Sequence, residues 1–216
     1  METKLENKSV KDYIYDRIKE LLENNEFVVG EKINKNDLAS RFNISLTPIN
    51  DALNRLVGEN YLVQYPRKGF FVKEFSPKEL CDLFEIRAGL EGIAVRLCCE
   101  RANEEEINEL IHSFDMFENG ITADMIKTYT TIDKNFHKRI IFLAKNPLIS
   151  QVRNSLGFLS RTYQKGLVKP MEISLSEHHE IINALKKRDG KLAQIAMETH
   201  LLGSRDRILK TLEEKK

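Results

Sequence analysis

The stretch Asn34-Lys35-Asn36-Asp37-Leu38-Ala39-Ser40-Arg41-Phe42-Asn43-Ile44-Ser45-Leu46-Thr47-Pro48-Ile49-Asn50-Asp51-Ala52-Leu53 decides the first half of the fold. It reads as two short helices joined by a tight turn. Asn34, with Asp37 three residues on, resembles a capping box and opens a helix over 35–42. Asn43 ends it. Ser45 and Thr47 are both candidate N-caps for the next helix, and Pro48 suits its first turn. That second helix carries Ile49, Ala52, Leu53 and Leu56 on one face. Upstream, Tyr13, Ile14, Ile18, Leu21 and Leu22 make a helical stripe over 11–22, broken by Gly30. Downstream, Tyr61 to Tyr65 reads as a strand, Pro66-Arg67-Lys68-Gly69 as a turn, and Phe70 to Lys73 as a returning strand. Helix, turn, helix and hairpin in this order predict a winged helix-turn-helix over residues 1–75.

The character then changes. Ser76-Pro77-Lys78-Glu79 is a strong helix start, and no strand pattern follows it. Helices are expected at 77–101, 104–117, 122–144, 148–165, 174–187 and 190–213. The fold class is therefore mainly α: a winged domain with a small β-hairpin, then an antiparallel six-helix bundle over residues 76–216. The composition suits this. Of 216 residues, 41% are hydrophobic, and 34 Lys+Arg balance 33 Asp+Glu at a net charge of +1. No run approaches the ~18 apolar residues of a membrane span, and the charged N-terminus has no secretory apolar region. Three cysteines, two of them adjacent, are no disulfide framework. A reducing cytoplasm is the expected compartment.

The second helix of a winged domain lies in a DNA major groove, and the wing tip Arg67-Lys68-Gly69 touches backbone or minor groove. Ser45 and Thr47 at the helix start are candidate phosphate contacts. Residues 1–75 hold 12 Lys+Arg and 12 Asp+Glu, so charge alone leaves a protein partner as open as DNA. Lys35, Arg41, Arg55, Arg67 and Lys68 are expected to cluster on the reading side.

Residues 9–73 resemble the N-terminal domain of GntR-type bacterial transcription regulators. The resemblance is carried by Gly30-Glu31-Lys32-Ile33, Leu38-Ala39-Ser40-Arg41-Phe42, Ser45-Leu46-Thr47-Pro48-Ile49-Asn50-Asp51-Ala52-Leu53, Arg55-Leu56 and the wing 66–72. It implies contacts to double-stranded operator DNA from Lys35, Arg41, Ser45, Leu46, Thr47, Pro48, Asn50, Arg67, Lys68 and Gly69. The family usually has Arg where this chain has Leu46 and Asn50. Arg reads guanine, whereas Leu46 can touch a thymine methyl and Asn50 can read adenine or cap a neighbour. An A·T-leaning or weak operator is the expectation.

Five histidines are present: His112, His137, His178, His179 and His200. Asp133 and His137 are four apart on one helical face, beside Ile132, Phe136 and Ile140. His178 has Leu175, Ile181, Ile182 and Leu185 as helical neighbours, while His179 points further outward. His200 follows Ala196 by four and Leu192 by eight, on the stripe of Ile195, read as the core face of the last helix. His112 is read as solvated. Each residue alone is more often an ordinary core or edge group. Four inward polar groups from three helices together favour a divalent cation, for which imidazole and carboxylate are suitable ligands.

Residues 77–203 resemble the FCD domain of the FadR branch of GntR regulators, in its shorter, VanR-like form. The matching stretches are 85–91, 133–137, 146–148, Glu177-His178 and 197–201. The resemblance implies that Asp133, His137, His178 and His200 hold a metal, zinc foremost, with nickel or another first-row ion as alternatives. It implies a small organic acid bound against that metal, with Arg87 as a carboxylate clamp, and a homodimer. Tyr129, one turn before Asp133, and Arg161 are further candidates for the effector site; an ion pair of Arg87 with Glu91 is the plain alternative for the first. The function expected is a ligand-responsive transcription regulator, a repressor more than an activator, and no enzyme. Its rivals are a regulator for which the metal itself is the signal, a metal-dependent hydrolase fused to a winged domain, and a winged domain that binds proteins. No general base or nucleophile arrangement supports the hydrolase.

Overall fold

Residues 9–24, 26–118, 120, 122–155 and 168–214 are described by a computed structural model of the chain. They fall into two compact units, an N-terminal one through Glu74, with which Asn154 and Ser155 group, and a C-terminal one of Phe75–Arg153 and 168–214. The N-terminal unit comprises α1 (Val10–Glu23), α2 (Lys35–Phe42), α3 (Leu46–Gly58), β1 (Leu62–Tyr65) and β2 (Gly69–Val72). Asn34 caps α2, its side chain accepting from the Asn36 and Asp37 backbone N–H groups. Asn43 then turns the chain with φ +53°, a left-handed conformation that Asn tolerates well. Ser45 is the N-cap residue of α3, but its side chain makes no cap bond; Thr47 lies inside the helix rather than at its cap.

β1 and β2 pair antiparallel, with Leu62 opposite Val72 and Tyr65 opposite Gly69. β1 starts one residue later than expected, where Tyr61 uses its N–H to close α3 on the Leu56 carbonyl, and β2 lies one residue earlier than expected. A bridge from Lys32 to Phe71 extends the pairing beyond the hairpin. Ile14, Ile18, Leu22, Ile49, Leu53, Leu56, Tyr61, Leu62, Phe70 and Val72 form the core beneath. Arg55 is not turned toward the reading side. Its guanidinium lies 3.6 Å from the Tyr15 ring centre and pairs with Asp12 and Glu59, tying α3 to α1.

The C-terminal unit is helical throughout its described residues: α4 (Pro77–Arg101), α5 (Glu104–Ile111), α6 (Ile126–Leu143), α7 (Pro147–Ser155), α8 (Met171–Lys186) and α9 (Gly190–Glu213). Ser76 and Glu79 form the capping box of α4, and Asn103 and Glu106 that of α5. The helix expected over 104–117 ends at Ile111 and resumes as a 3-10 turn, Asp115–Phe117. At the break the Ser113 hydroxyl donates to the Glu109 carbonyl. α6 is entered through a second 3-10 turn, Ala123–Met125, and α8 starts three residues earlier than expected, after Pro170. The remainder of the helix expected over 148–165 lies outside the described residues.

α4 and α9 run against each other closely. A Cβ at Gly92 would meet Glu198 Oε1 at 2.9 Å, and one at Gly190 would meet Arg96 Cγ at 2.9 Å. α9 is phased differently from the sequence reading. Its buried row is Ala193, Met197, His200, Leu201 and Ser204, while Leu192 and Ile195 are 42% and 51% exposed. Both rows are apolar, so periodicity could not choose between them; His200 is buried on either phasing. α4 is similar, with Ile86 and Ile93 exposed opposite a buried Phe84, Val95 and Cys98. All three cysteines are free and buried. No described helix is long and apolar enough to cross a membrane.

Candidate functional site

α6 presents Asp133 and His137 one turn apart, α8 presents His178, and α9 presents His200. All four are buried, and one ligand atom from each lies within 4.8 Å of the others. His178 Nε2 is 3.4 Å from His137 Nε2 and 3.0 Å from Asp133 Oδ1. Two nitrogens bound to one first-row ion at ~2.0–2.1 Å sit about 2.9–3.4 Å apart, so these spacings suit a shared cation.

The outer partners decide which ring nitrogen faces inward. His137 Nδ1 lies on Glu91 Oε2, and His200 Nδ1 lies 2.8 Å from Glu177 Oε2. An ionised carboxylate only accepts, so both Nδ1 atoms must carry the hydrogen. In a neutral imidazole that leaves a lone pair on Nε2, the ligand-ready tautomer. His178 Nδ1 is 3.0 Å from the Tyr129 hydroxyl. For ligation through Nε2, Nδ1–H donates to the Tyr129 oxygen, whose own hydrogen can serve Ser174, also in contact. Lone pairs and a carboxylate oxygen cannot face one another in a dry interior without a cation or proton among them. The donor set, one carboxylate and three imidazoles, therefore fits a divalent first-row ion.

Each outer carboxylate has its own cation. Arg87 Nε donates to Glu91 Oε1 at 2.7 Å, and Lys169 Nζ donates to Glu177 and to the His200 carbonyl. Burial pushes the Glu91 carboxyl up, but Arg87 and His137 outweigh it and hold the group below the usual carboxylate range. Burial raises Glu177 and lowers Lys169, each partly offset by the other. Burial also lowers His178 and, more strongly, His200, which keeps both imidazoles in the neutral, ligating form.

Of the effector-site candidates, Arg87 is buried on Glu91, Tyr129 is fully buried on His178, and Arg161 lies outside the described residues. His112 is exposed on Asp115, as expected. The sequence reading gave Glu91 only as an ion-pair partner and missed the roles of Glu177 and Lys169. Glu91 follows Arg87 by one helical turn, which was a signal. Glu177 and Lys169 reach His200 across helices, where no spacing rule points.

The expected DNA-facing residues lie on the N-terminal unit. Leu46 and Asn50 share one row of α3, and Ser45, Leu46 and Thr47 are exposed. Lys35 at the start of α2 donates from Nζ to Asn50 Oδ1 at 3.0 Å, and Nζ sits 5.9 Å from the Phe70 ring centre. Arg41 pairs with Glu26 at 3.1 Å in an exposed contact. Pro48 is in the first turn of α3. At the wing tip, Lys68 N–H closes the turn on the Tyr65 carbonyl, Arg67 is left-handed at φ +62° and Gly69 has φ +100°. A left-handed non-glycine costs of order 1 kcal/mol, and here the turn 65–68, with Pro66 second, requires it at the third position. Lys32, Lys35, Arg67 and Lys68 line a cleft of about 610 Å³ between the wing and α2. Local charge is thus positive although the unit is neutral overall.

Comparison with known proteins agrees with this division. Residues 11–72 match the model of the bacterial regulatory proteins of the gntR family, and residues 82–203 match the FCD domain. The Nta operon transcriptional regulator of Aminobacter aminovorans is 33% identical over 86% of this chain and 88% of its own length. The HTH-type transcriptional repressor RspR of Escherichia coli K12 is 27% identical over 80% of this chain and 77% of its own. The E. coli McbR/YncC structure superposes with a TM-score of 0.75, covering 95% of this chain and 99% of that one at 20% identity, a likeness of fold. A winged helix-turn-helix of gntR type followed by an FCD domain makes this chain a member of the GntR family of bacterial DNA-binding transcription regulators, and not an enzyme.

Proposed function

We propose that the chain is a dimeric, ligand-responsive regulator, a repressor, whose hold on operator DNA is set by an organic acid bound at a metal in the helical unit. The observation that carries the reading is the convergence of one ring nitrogen from each of three histidines and a carboxylate oxygen, with Glu91 and Glu177 on the Nδ1 atoms of His137 and His200. Asp133, His137, His178 and His200 would hold the ion, and its open coordination positions would take a carboxylate oxygen. Around them Asp133, Glu91 and Glu177 carry three negative charges, and Arg87 and Lys169 two positive ones. A divalent ion brings the total to about +1, which favours an anionic ligand. Ile86 and Ile93, exposed one above the other on α4 among charged neighbours, are where a second copy would pack. The effector acts only through differential affinity for the DNA-binding and released arrangements; occupancy alone shifts nothing.

One observation favours the reading in which the metal is itself the signal: Arg87 is already engaged by Glu91. A single experiment tests both. The full chain with added zinc is used to select duplexes from a random pool, and the selected operator is then challenged with carboxylic acids and with a chelator. Release by a carboxylate at constant metal supports the effector reading. Release by the chelator alone supports the metal signal and overturns it.

A further inference from the structure

Asn50 stands on the reading row of α3, and its amide faces a cation. Lys35 Nζ donates to Asn50 Oδ1 at 3.0 Å, across from α2 to α3. The ammonium also lies 5.9 Å from the centre of the Phe70 ring of β2. Three elements of the N-terminal unit therefore fix one polar pair beside the cleft of Lys32, Arg67 and Lys68.

The bond changes what Asn50 can read. Adenine recognition by Asn needs both ends of the amide: Nδ2–H donates to N7 and Oδ1 accepts from N6–H. Here a charged donor takes one of the two lone pairs of Oδ1, in a charge-assisted bond of the stronger kind. It also orients the amide, with the two Nδ2 hydrogens turned away from Lys35. The ammonium keeps two hydrogens of its own. The pair then presents N–H donors, and a positive charge sits where adenine would bring its N6 donor. Guanine is the base whose major-groove edge offers two adjacent acceptors, N7 and O6.

We propose that Lys35 and Asn50 act together as a composite guanine reader, two side chains supplying the donor pair that one arginine would otherwise supply. This rests on the reading of α3 as the groove-facing helix. It replaces the expectation of adenine at this position and leaves Leu46, a full turn earlier on the same row, to a thymine methyl. Each half-site should then carry one guanine that depends on both residues.

The test uses the full chain with added zinc, on duplexes built from the sequence it selects. Each guanine of the half-site is replaced in turn by adenine and by 7-deazaguanine, which lacks the N7 acceptor. Wild-type protein should lose about 5- to 150-fold in affinity at one guanine, the span of a single good base contact, and should also lose affinity to 7-deazaguanine there. Both penalties should vanish in Lys35→Met and in Asn50→Ala, and return in Lys35→Arg, which restores a donor. Undiminished penalties at the other half-site positions show that a variant is folded. Two outcomes overturn the pair alone: a selected half-site with no such guanine, or a Lys35→Met protein that binds every duplex more weakly with its guanine penalty intact, which would make Lys35 a phosphate anchor. A pool that stays random overturns the regulator reading, and the pair with it.

Discussion

The two units of this chain place their polar chemistry in opposite locations. Among the described residues, every buried polar or charged side chain belongs to the C-terminal unit: Arg87, Glu91, Asp133, His137, Lys169, Ser174, His178, His200 and Ser204. The N-terminal core is apolar except for tyrosine hydroxyls at its margin, and its ion pairs are largely exposed. The difference teaches where each half spends its stability. A surface reader can rest on an ordinary core and present charges to solvent, at little cost. An interior site must hold charged and polar groups against the desolvation of each, and a bound cation would offset that cost.

That contrast can be broken most forcefully at the ion. With zinc at about a thousand times its dissociation constant, the C-terminal unit should gain about 4 kcal/mol, while melting of the N-terminal unit stays where it was. Calorimetry with and without chelator checks this, and elemental analysis of a His178→Ala, His200→Ala double variant should find no bound metal. Equal shifts of both units, or wild-type metal content in the variant, would erase the distinction. The reciprocal change is Leu53→Ala, in the apolar core of the N-terminal unit. It should cost about 2–5 kcal/mol there and abolish DNA binding, with metal content unchanged.

Smaller perturbations sharpen the comparison. Glu91→Gln and Glu177→Gln keep the shape of each outer contact but remove its charge. Each should weaken metal binding by about 10- to 100-fold, measured by competition with a chromophoric chelator, and leave DNA affinity of the zinc-saturated protein unaltered. Arg67→Ala should weaken binding to all duplexes alike and reduce the salt dependence by about 0.9 in log–log slope. The finest probe is the thiols, all of them in the C-terminal unit. Burial pushes Cys98 up to about 12 and Cys99 to about 11, from an ordinary value near 9. They stay protonated in the folded unit and ionise more readily once it opens. Their contribution to stability is therefore complete below about pH 9 and declines as pH rises toward 12. Thiol labelling near neutral pH should be slow, should report opening of this unit only, and should slow further with zinc.

Much of this was legible in the residues. Asn34, Asn43, Pro48 and the hairpin 62–72 carry local signals, and the helix-turn-helix followed from them within a residue or two. Asp133 and His137 were legible as a pair because one turn of helix separates them. His200 was placed in the interior on the wrong stripe, since α9 is apolar on two sides and the pattern has no phase. The break after Ile111, where the chain passes into a 3-10 turn, is marked by no Gly or Pro. Glu177, Lys169 and the Lys35–Asn50 bond are contacts between elements. They follow from tertiary packing, which local spacing does not encode.

The four convergent side chains have a consequence in polymer terms. They are far apart along the chain, with His137 and His178 separated by 41 residues and His178 and His200 by 22. Whatever joins them closes loops of those lengths, as a covalent cross-link would, and loop closure removes disorder chiefly from the unfolded chain. A cation gripped there would be a reversible staple: it would restrict the open ensemble of the helical unit while bound, and restore it when withdrawn.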